Sequence, residues 1–202
     1  MNKTMSIKKI EDEIYSVHNI ISDTDVLIIK EELNFTLWQP STVLKRDILD
    51  GNYYHEINEF RISETSHQIW FTDRLNEQLD NLEKKIELLF KVEKAYLEPW
   101  QALKYPQYGK VDYHLDAGYW QNDKGGERIF SFLLYLTTPE SGGETHFRAH
   151  NLKIDAISGN MLVWNNLLSS GNVNHAMIHS GMPLYKGEKI CLISWSRQNK
   201  YK

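Results

Sequence analysis

The sequence predicts an α+β fold that is mainly β: a double-stranded β-helix, or jelly roll, with supporting N-terminal helices. Three observations predict it. Beyond Glu98 the chain breaks into about eight short apolar and aromatic runs, separated by Gly, Pro and Asn turns. One of these runs, Arg128 to Thr137, is apolar on both faces, as a central strand covered from both sides would be. Before Glu98, Leu75, Leu79, Leu82, Ile86, Leu89 and Phe90 recur at intervals of three or four, which marks an amphipathic helix packed on one side of a sheet.

At 202 residues the chain suits one domain with a substantial core. Residues 1–98 read as a helical and mixed support region of that same domain, and 99–202 as the double-stranded β-helix core. Six Trp, eleven Tyr and seven Phe suit a β-rich fold whose pockets carry large rings. The formal charge is −4, from 23 basic and 27 acidic residues, with no basic tract. Wholesale neutralisation of phosphates is therefore not expected, and neither is a nucleic-acid partner. Met1 to Ile10 holds three lysines and no long apolar segment, so no signal peptide or membrane span is read there. The single Cys191 cannot form an internal disulfide, which fits a reducing cytoplasm.

In chain order, Ser22-Asp23 offers a capping side chain before Val26, Leu27, Ile28 and Ile29, and a helix is expected from about Thr24 to Glu32. The polar stretch to about His67, with Pro40, Gly51 and Tyr53-Tyr54, reads as a surface excursion. The alternative is a hairpin or mobile loop at a pocket mouth, whose part from Gly51 to His67 would order over the pocket when substrate binds. Strands are then expected over Trp100 to Tyr105, Val111 to Asp116, Arg128 to Thr137, Glu144 to Ala149, Asn151 to Ala156, Asn160 to Trp164, His175 to Ser180 and Glu188 to Arg197.

Chemistry concentrates in His114-Leu115-Asp116. In an extended strand, side chains two apart project from one face, so this pair is half of a metal site. A second imidazole from a distant strand would leave the remaining positions open, an arrangement suited to non-haem Fe(II) oxygenases. His179 is the candidate. Alone, the triplet is weak evidence, because eight histidines and 27 acidic residues produce such spacings by chance. His175, four residues earlier, would share a face with His179 in an extended segment, so periodicity does not exclude it. Local context favours His179, which is followed by the turn-forming Gly181 and Pro183; His175 reads as a rim residue or outer partner. In the last strand Lys189, Cys191, Ile193 and Trp195 form one row. An inward Lys189 would need an anion, whereas an outward one on an edge would not.

His114-Leu115-Asp116, Arg128 with Leu134-Tyr135-Leu136, Gly142-Gly143-Glu144-Thr145-His146-Phe147, His179-Ser180-Gly181-Met182-Pro183-Leu184, and Gly187-Glu188-Lys189 through Trp195 resemble, in order and spacing, the catalytic domain of prolyl 4-hydroxylases. These are Fe(II)- and 2-oxoglutarate-dependent dioxygenases. The resemblance covers about Trp100 to Arg197. It implies that His114, Asp116 and His179 hold iron, that Lys189 pairs with the distal carboxylate of 2-oxoglutarate, and that Tyr105 donates its hydroxyl to the same carboxylate. Trp195 corresponds to a pocket aromatic, and Arg128 to a basic residue lying towards the substrate. Relatives commonly carry a tyrosine three residues before the first histidine, where this chain has Val111.

What the resemblance implies in function is hydroxylation of a C–H bond, foremost of a prolyl residue in a peptide or protein, with release of succinate and CO2. Fe(II), 2-oxoglutarate and dioxygen would be required, and ascorbate is left open. A free amino acid or other small molecule is the alternative within the class. The rivals from other classes are a non-oxidative, cupin-like metal-binding jelly roll and a silent binding module. Lys189 and the Gly142-Gly143-Glu144-Thr145 turn speak against the first, which needs no keto-acid clamp, and the complete set of candidate ligands against the second.

Overall fold

The structure is a computed structural model and describes residues 4–46 and 53–202. Strands β1 (Ser6–Glu11) and β2 (Ile14–His18) form a hairpin, followed by helix α1 (Asp23–Glu32). Five short strands follow: β3 (Gln39–Pro40), β4 (Val43–Arg46), β5 (Tyr53–Glu56), β6 (Arg61–Ile62) and β7 (Glu64–His67). After helix α2 (Asp73–Phe90) come β8 (Gln101–Tyr105), β9 (Lys110–His114), β10 (Arg128–Tyr135), β11 (Ser141–Gly142) and β12 (Thr145–Phe147). The chain closes with β13 (Leu152–Ile154), β14 (Met161–Asn165), β15 (His179–Gly181), β16 (Leu184–Lys186) and β17 (Lys189–Arg197).

Two sheets make the jelly roll. The larger runs β1-β2-β14-β10-β17-β8-β7-β3 and the smaller β13-β12-β15-β9-β6. Alternation along the central strands splits the core into two layers. Phe132 and Leu134 of β10, with Ile190 and Leu192 of β17, pack under both helices against Ile29, Leu75, Leu79 and Ile86. Leu133 and Tyr135, with Cys191, Ile193 and Trp195, face the smaller sheet and meet Phe147 and Val111. The double-faced apolar run at Arg128 is thus a central strand, covered on both sides.

The helices start where capping chemistry allows. Asp25 N donates to Ser22 Oγ at 3.1 Å, and Ser22 N returns a bond to Asp25 Oδ2 at 3.0 Å, a reciprocal capping box. Leu75 N donates to Thr72 Oγ1 at 3.1 Å, and the Thr72 hydroxyl donates to Glu32 Oε2 at 2.6 Å, tying the two helices together. The turn before β12 depends on glycine: Gly142 sits at φ 77°, and a Cβ there would lie 2.2 Å from the carbonyl oxygen of Pro183.

Residues 1–98 supply strands as well as helices, for β1, β2, β3 and β7 are four of the eight strands of the larger sheet. One expectation changes. The stretch up to His67 is no surface excursion: it forms the β4–β5 hairpin, and adds β7 to the larger sheet and β6 to the smaller. Gly51 lies outside the described residues, so the expected lid is described only from Tyr53 onward. The hydrogen bonds of neighbouring strands, not side-chain periodicity, define β3 and β6, each only two residues long.

The phase of α2 gives a stability test. Leu79 is fully buried and Leu88 is 64% exposed. Leu79→Ala is expected to cost about 2–5 kcal/mol in chemical denaturation, and Leu88→Ala to stay within about 0.5 kcal/mol. Equal losses would contradict the packing of this helix.

Candidate active site

Strands β9 and β15 pair antiparallel with His114 directly opposite His179. Gly181 then lies opposite Val111, so two steps on β15 match three on β9, a bulge that brings both Val111 and His114 to the cavity. Each imidazole is fixed by the backbone: His114 Nδ1 lies 2.8 Å from Asp112 O and His179 Nδ1 2.9 Å from Met177 O. A carbonyl oxygen only accepts, so both Nδ1 atoms carry a proton and Nε2 is the atom each ring turns towards Asp116. They lie 3.8 Å from Asp116 Oδ1 and Oδ2 respectively.

Asp116 reaches this point differently from the expectation. Strand β9 ends at His114, and Asp116 lies in the bend that follows, not on the strand face. Other residues aim it. The Ser131 hydroxyl donates to Asp116 Oδ2 at 2.6 Å, and Asn166 Nδ2 donates to Ser131 Oγ at 2.9 Å. Trp120 Nε1 donates to Asp116 O at 3.1 Å, while the Glu127 carboxylate accepts from the backbone N–H groups of Gly118 and Trp120, both at 2.9 Å.

The three donors are chemically ready for a cation. One ligand atom from each of His114, Asp116 and His179 fits within 4.8 Å of the others. Burial and the neighbouring His179 lower His114 to a pKa of about 4, so it is neutral and able to ligate at pH 7. Burial alone would raise Asp116; His179, His114, Arg128 and the Ser131 bond overcome it and hold the carboxyl at about 2. Two imidazoles held through Nδ1 and one carboxylate fit the donor set of a non-haem iron.

Behind the triad lies a cavity of about 640 Å³ between the sheets. Lys189, Cys191, Ile193 and Trp195 all line it, so the predicted row faces inward. Lys189 is 1% exposed, and burial lowers its pKa. Its Nζ lies 4.4 Å from the ring centre of Tyr105, its partner across β8–β17, and it has no ion pair or hydrogen bond among the described residues. Gly181 leaves room beside them: a Cβ there would lie 3.4 Å from Lys189 Nζ and 3.7 Å from Tyr105 Oη. A buried ammonium, a phenol and a missing side chain make a receptor for a carboxylate.

Arg128 also lines the cavity, but it is already paired. Its Nε and Nη2 each donate to the Glu98 carboxylate at 2.7 Å, and its guanidinium stacks 3.6 Å above Trp195 and 4.6 Å from Trp120. His175 is not grouped with the triad among the described residues. It is exposed in a short 3₁₀ turn over His175–Met177, which breaks the extended geometry assumed for it, and it does not line the cavity.

Sequence reasoning missed Arg61, Glu98, Ser131 and Trp164. Only Ser131 left a signal, as a polar residue in an otherwise apolar central strand, where burial demands a partner. Trp164 packs on His179 with ring centres 4.6 Å apart, and its buried Nε1 has no acceptor.

Comparison with known proteins agrees with this geometry. Residues 100–197 match the 2OG-Fe(II) oxygenase superfamily. The chain is 28% identical over 193 residues to prolyl 4-hydroxylase subunit alpha-3 of Homo sapiens, covering 92% of this chain and 34% of the relative. It is 30% identical over 138 residues to prolyl 4-hydroxylase 13 of Arabidopsis thaliana, covering 59% and 50%. The chain therefore spans a third to a half of the length of these relatives. In structure it resembles the viral collagen prolyl hydroxylase of Paramecium Bursaria Chlorella virus-1 in its 2OG complex, with a TM-score of 0.69, 21% identity, and coverage of 92% of this chain and 96% of that one. The matched span runs from β8 to the end of β17 and so contains both histidines, Asp116 and Lys189: over this span the chain is similar to the 2OG-Fe(II) oxygenase superfamily, whose members use iron, 2-oxoglutarate and dioxygen.

Proposed function

We propose that this chain hydroxylates a prolyl residue in a peptide or protein. In this reading His114, Asp116 and His179 hold Fe(II), and Lys189 with Tyr105 receives the distal carboxylate of 2-oxoglutarate. The observation that carries it is Lys189, a buried cation without an ion pair among the described residues, in the cavity that the triad also lines. The names of the relatives supply proline. When bound, iron and 2-oxoglutarate supply the activation of dioxygen that turns a C–H bond into an alcohol, with release of succinate and CO2.

The chain's own residues bind and orient. Ser131, steadied by Asn166, holds Asp116 Oδ2 and keeps the carboxylate from rotating. Glu98 clamps Arg128 flat against Trp195, which builds a rigid aromatic wall for a ring such as proline. Val111, where the resemblance implies a tyrosine, offers only a small apolar side chain to the cavity, beside Arg61. The lone Cys191, buried and unpaired, supports a reducing, cytoplasmic setting. Among the described residues no helix is long and apolar enough to cross a membrane.

The direct test is incubation with Fe(II), 2-oxoglutarate and proline-containing peptides, measuring succinate and a mass gain of one oxygen atom on the peptide. Succinate coupled to an oxygenated proline is the expected result; none above the metal-free blank would remove the reading. Lys189→Ala is expected to weaken 2-oxoglutarate by about 2–5 kcal/mol, roughly 30- to several-thousand-fold, with iron affinity retained. Equal 2-oxoglutarate affinity in both proteins would refute the clamp.

A further inference from the structure

One cavity cation is left over once every other has been matched with an anion. Arg128 lies on Glu98, Lys45 on Glu56 at 2.6 Å, and Lys189 takes the co-substrate in the reading above. Arg61 has nothing comparable. It stands on β6 opposite Val111 of β9, so their side chains share a face, and both line the cavity. Val111 is three residues from His114, roughly 10 Å along the strand, which puts a long side chain on β6 within reach of whatever lies over the metal centre.

The bonds Arg61 makes are few and weak. Nε donates to Ser63 Oγ and Nη1 to the carbonyl oxygen of Thr42, each at 3.4 Å, and neither acceptor is charged. Among the described residues it has no ion pair. A guanidinium offers five N–H donors and stays charged, so the half-buried group holds unspent donors, and the carboxylate its charge feels is Asp116 of the triad, with which it makes no ion pair. The acceptor side of its neighbourhood is closed: the Ser63 hydroxyl is committed to Ser41, which bonds Thr65 in turn.

A second observation points the same way. Asn58 lines the same cavity, and its Nδ2 is buried without an acceptor among the described residues, while its Oδ1 is used by Phe60 N. Arg61 N donates to Asn58 O at 3.2 Å, so the two donor side chains spring from one turn. Two sets of idle N–H donors, one cationic, on a wall whose oxygens are already engaged, form a site for an anionic oxygen pair.

We propose that the substrate carries a carboxylate beside the carbon to be hydroxylated, received by Arg61 and Asn58. This rests on the reading of the cavity as the hydroxylation site. The carboxylate has two sources of the same chemistry: an Asp or Glu side chain flanking the target in a peptide, or the α-carboxylate of a C-terminal residue or free amino acid. Arg61 is a specificity-determining residue in either case. It adds a charge requirement that Arg128, silenced by Glu98, cannot supply.

The experiment is anaerobic calorimetry on the full chain with Fe(II) and 2-oxoglutarate, which reads binding without turnover. One pair of amidated peptides places Asp or Asn beside proline; a second places proline last, as free acid or amide; both pairs are repeated with alanine for proline, and free proline is included. The acid member of at least one pair is expected to bind roughly 10- to 100-fold tighter than its neutral partner. Which pair discriminates identifies the source. Arg61→Gln is expected to erase that preference with 2-oxoglutarate affinity unchanged, and Arg61→Lys to keep part of it, which a purely structural arginine would not do. Equal binding of acid and neutral members in the wild type overturns the proposal, as does an Arg61→Gln variant that loses 2-oxoglutarate instead. A preference that persists in the alanine peptides, with no gain from proline, would sink prolyl specificity while leaving the carboxylate site standing.

Discussion

The register between β9 and β15 is the constraint on which the site depends. Antiparallel pairing sets His114 opposite His179, and a slip of one residue would turn one imidazole to the other face of the sheet. The bulge before His114 lets Val111, and across from it Gly181, face the same cavity. A second register, Lys189 opposite Tyr105 across β17 and β8, places the ammonium and phenol in the larger sheet. The facing of the two sheets then brings the histidines of one to the lysine of the other.

Buried cations divide into two kinds. Arg197, 1% exposed, bonds Glu98 at 2.8 Å and Asp123 at 2.5 Å, and Arg128 takes the remaining capacity of Glu98. These are compensated inside the chain, and they brace the turn at Asp123 against the end of β17. Lys189 and Arg61 make no ion pair among the described residues. An unpaired buried charge costs several kcal/mol, so the fold tolerates it at positions where a ligand completes the pair. The contrast separates scaffold cations from binding cations more sharply than position in the cavity does, since Arg128 and Arg61 both line it.

Much of this was legible in the chain. A period of two along β17 groups Lys189, Cys191, Ile193 and Trp195 in one row without saying which way it faces, and three- and four-residue spacing identifies α2, because both signals run long enough to repeat. His114 and His179 were readable from local turns and spacing. Asp116 was readable as a residue but not as geometry: strand alternation places it on the face of β9, while the structure holds it in a bend through Ser131, Trp120 and Glu127. Strand β1 escaped notice because an exposed edge with Lys8 and Lys9 has no buried face to alternate. Arg61 lies in a two-residue strand defined by its neighbour, and its idle donors become visible only when every partner in space is known.

The account stands on His114 and His179 sharing one metal through this register. The measurement that bears on it most directly is the absorbance produced when 2-oxoglutarate chelates Fe(II) on the protein without oxygen. Wild type and His175→Ala are expected to show it, and His179→Ala to lose it. A band that survives in His179→Ala but disappears in His175→Ala would move the third ligand and contradict the pairing of β9 with β15.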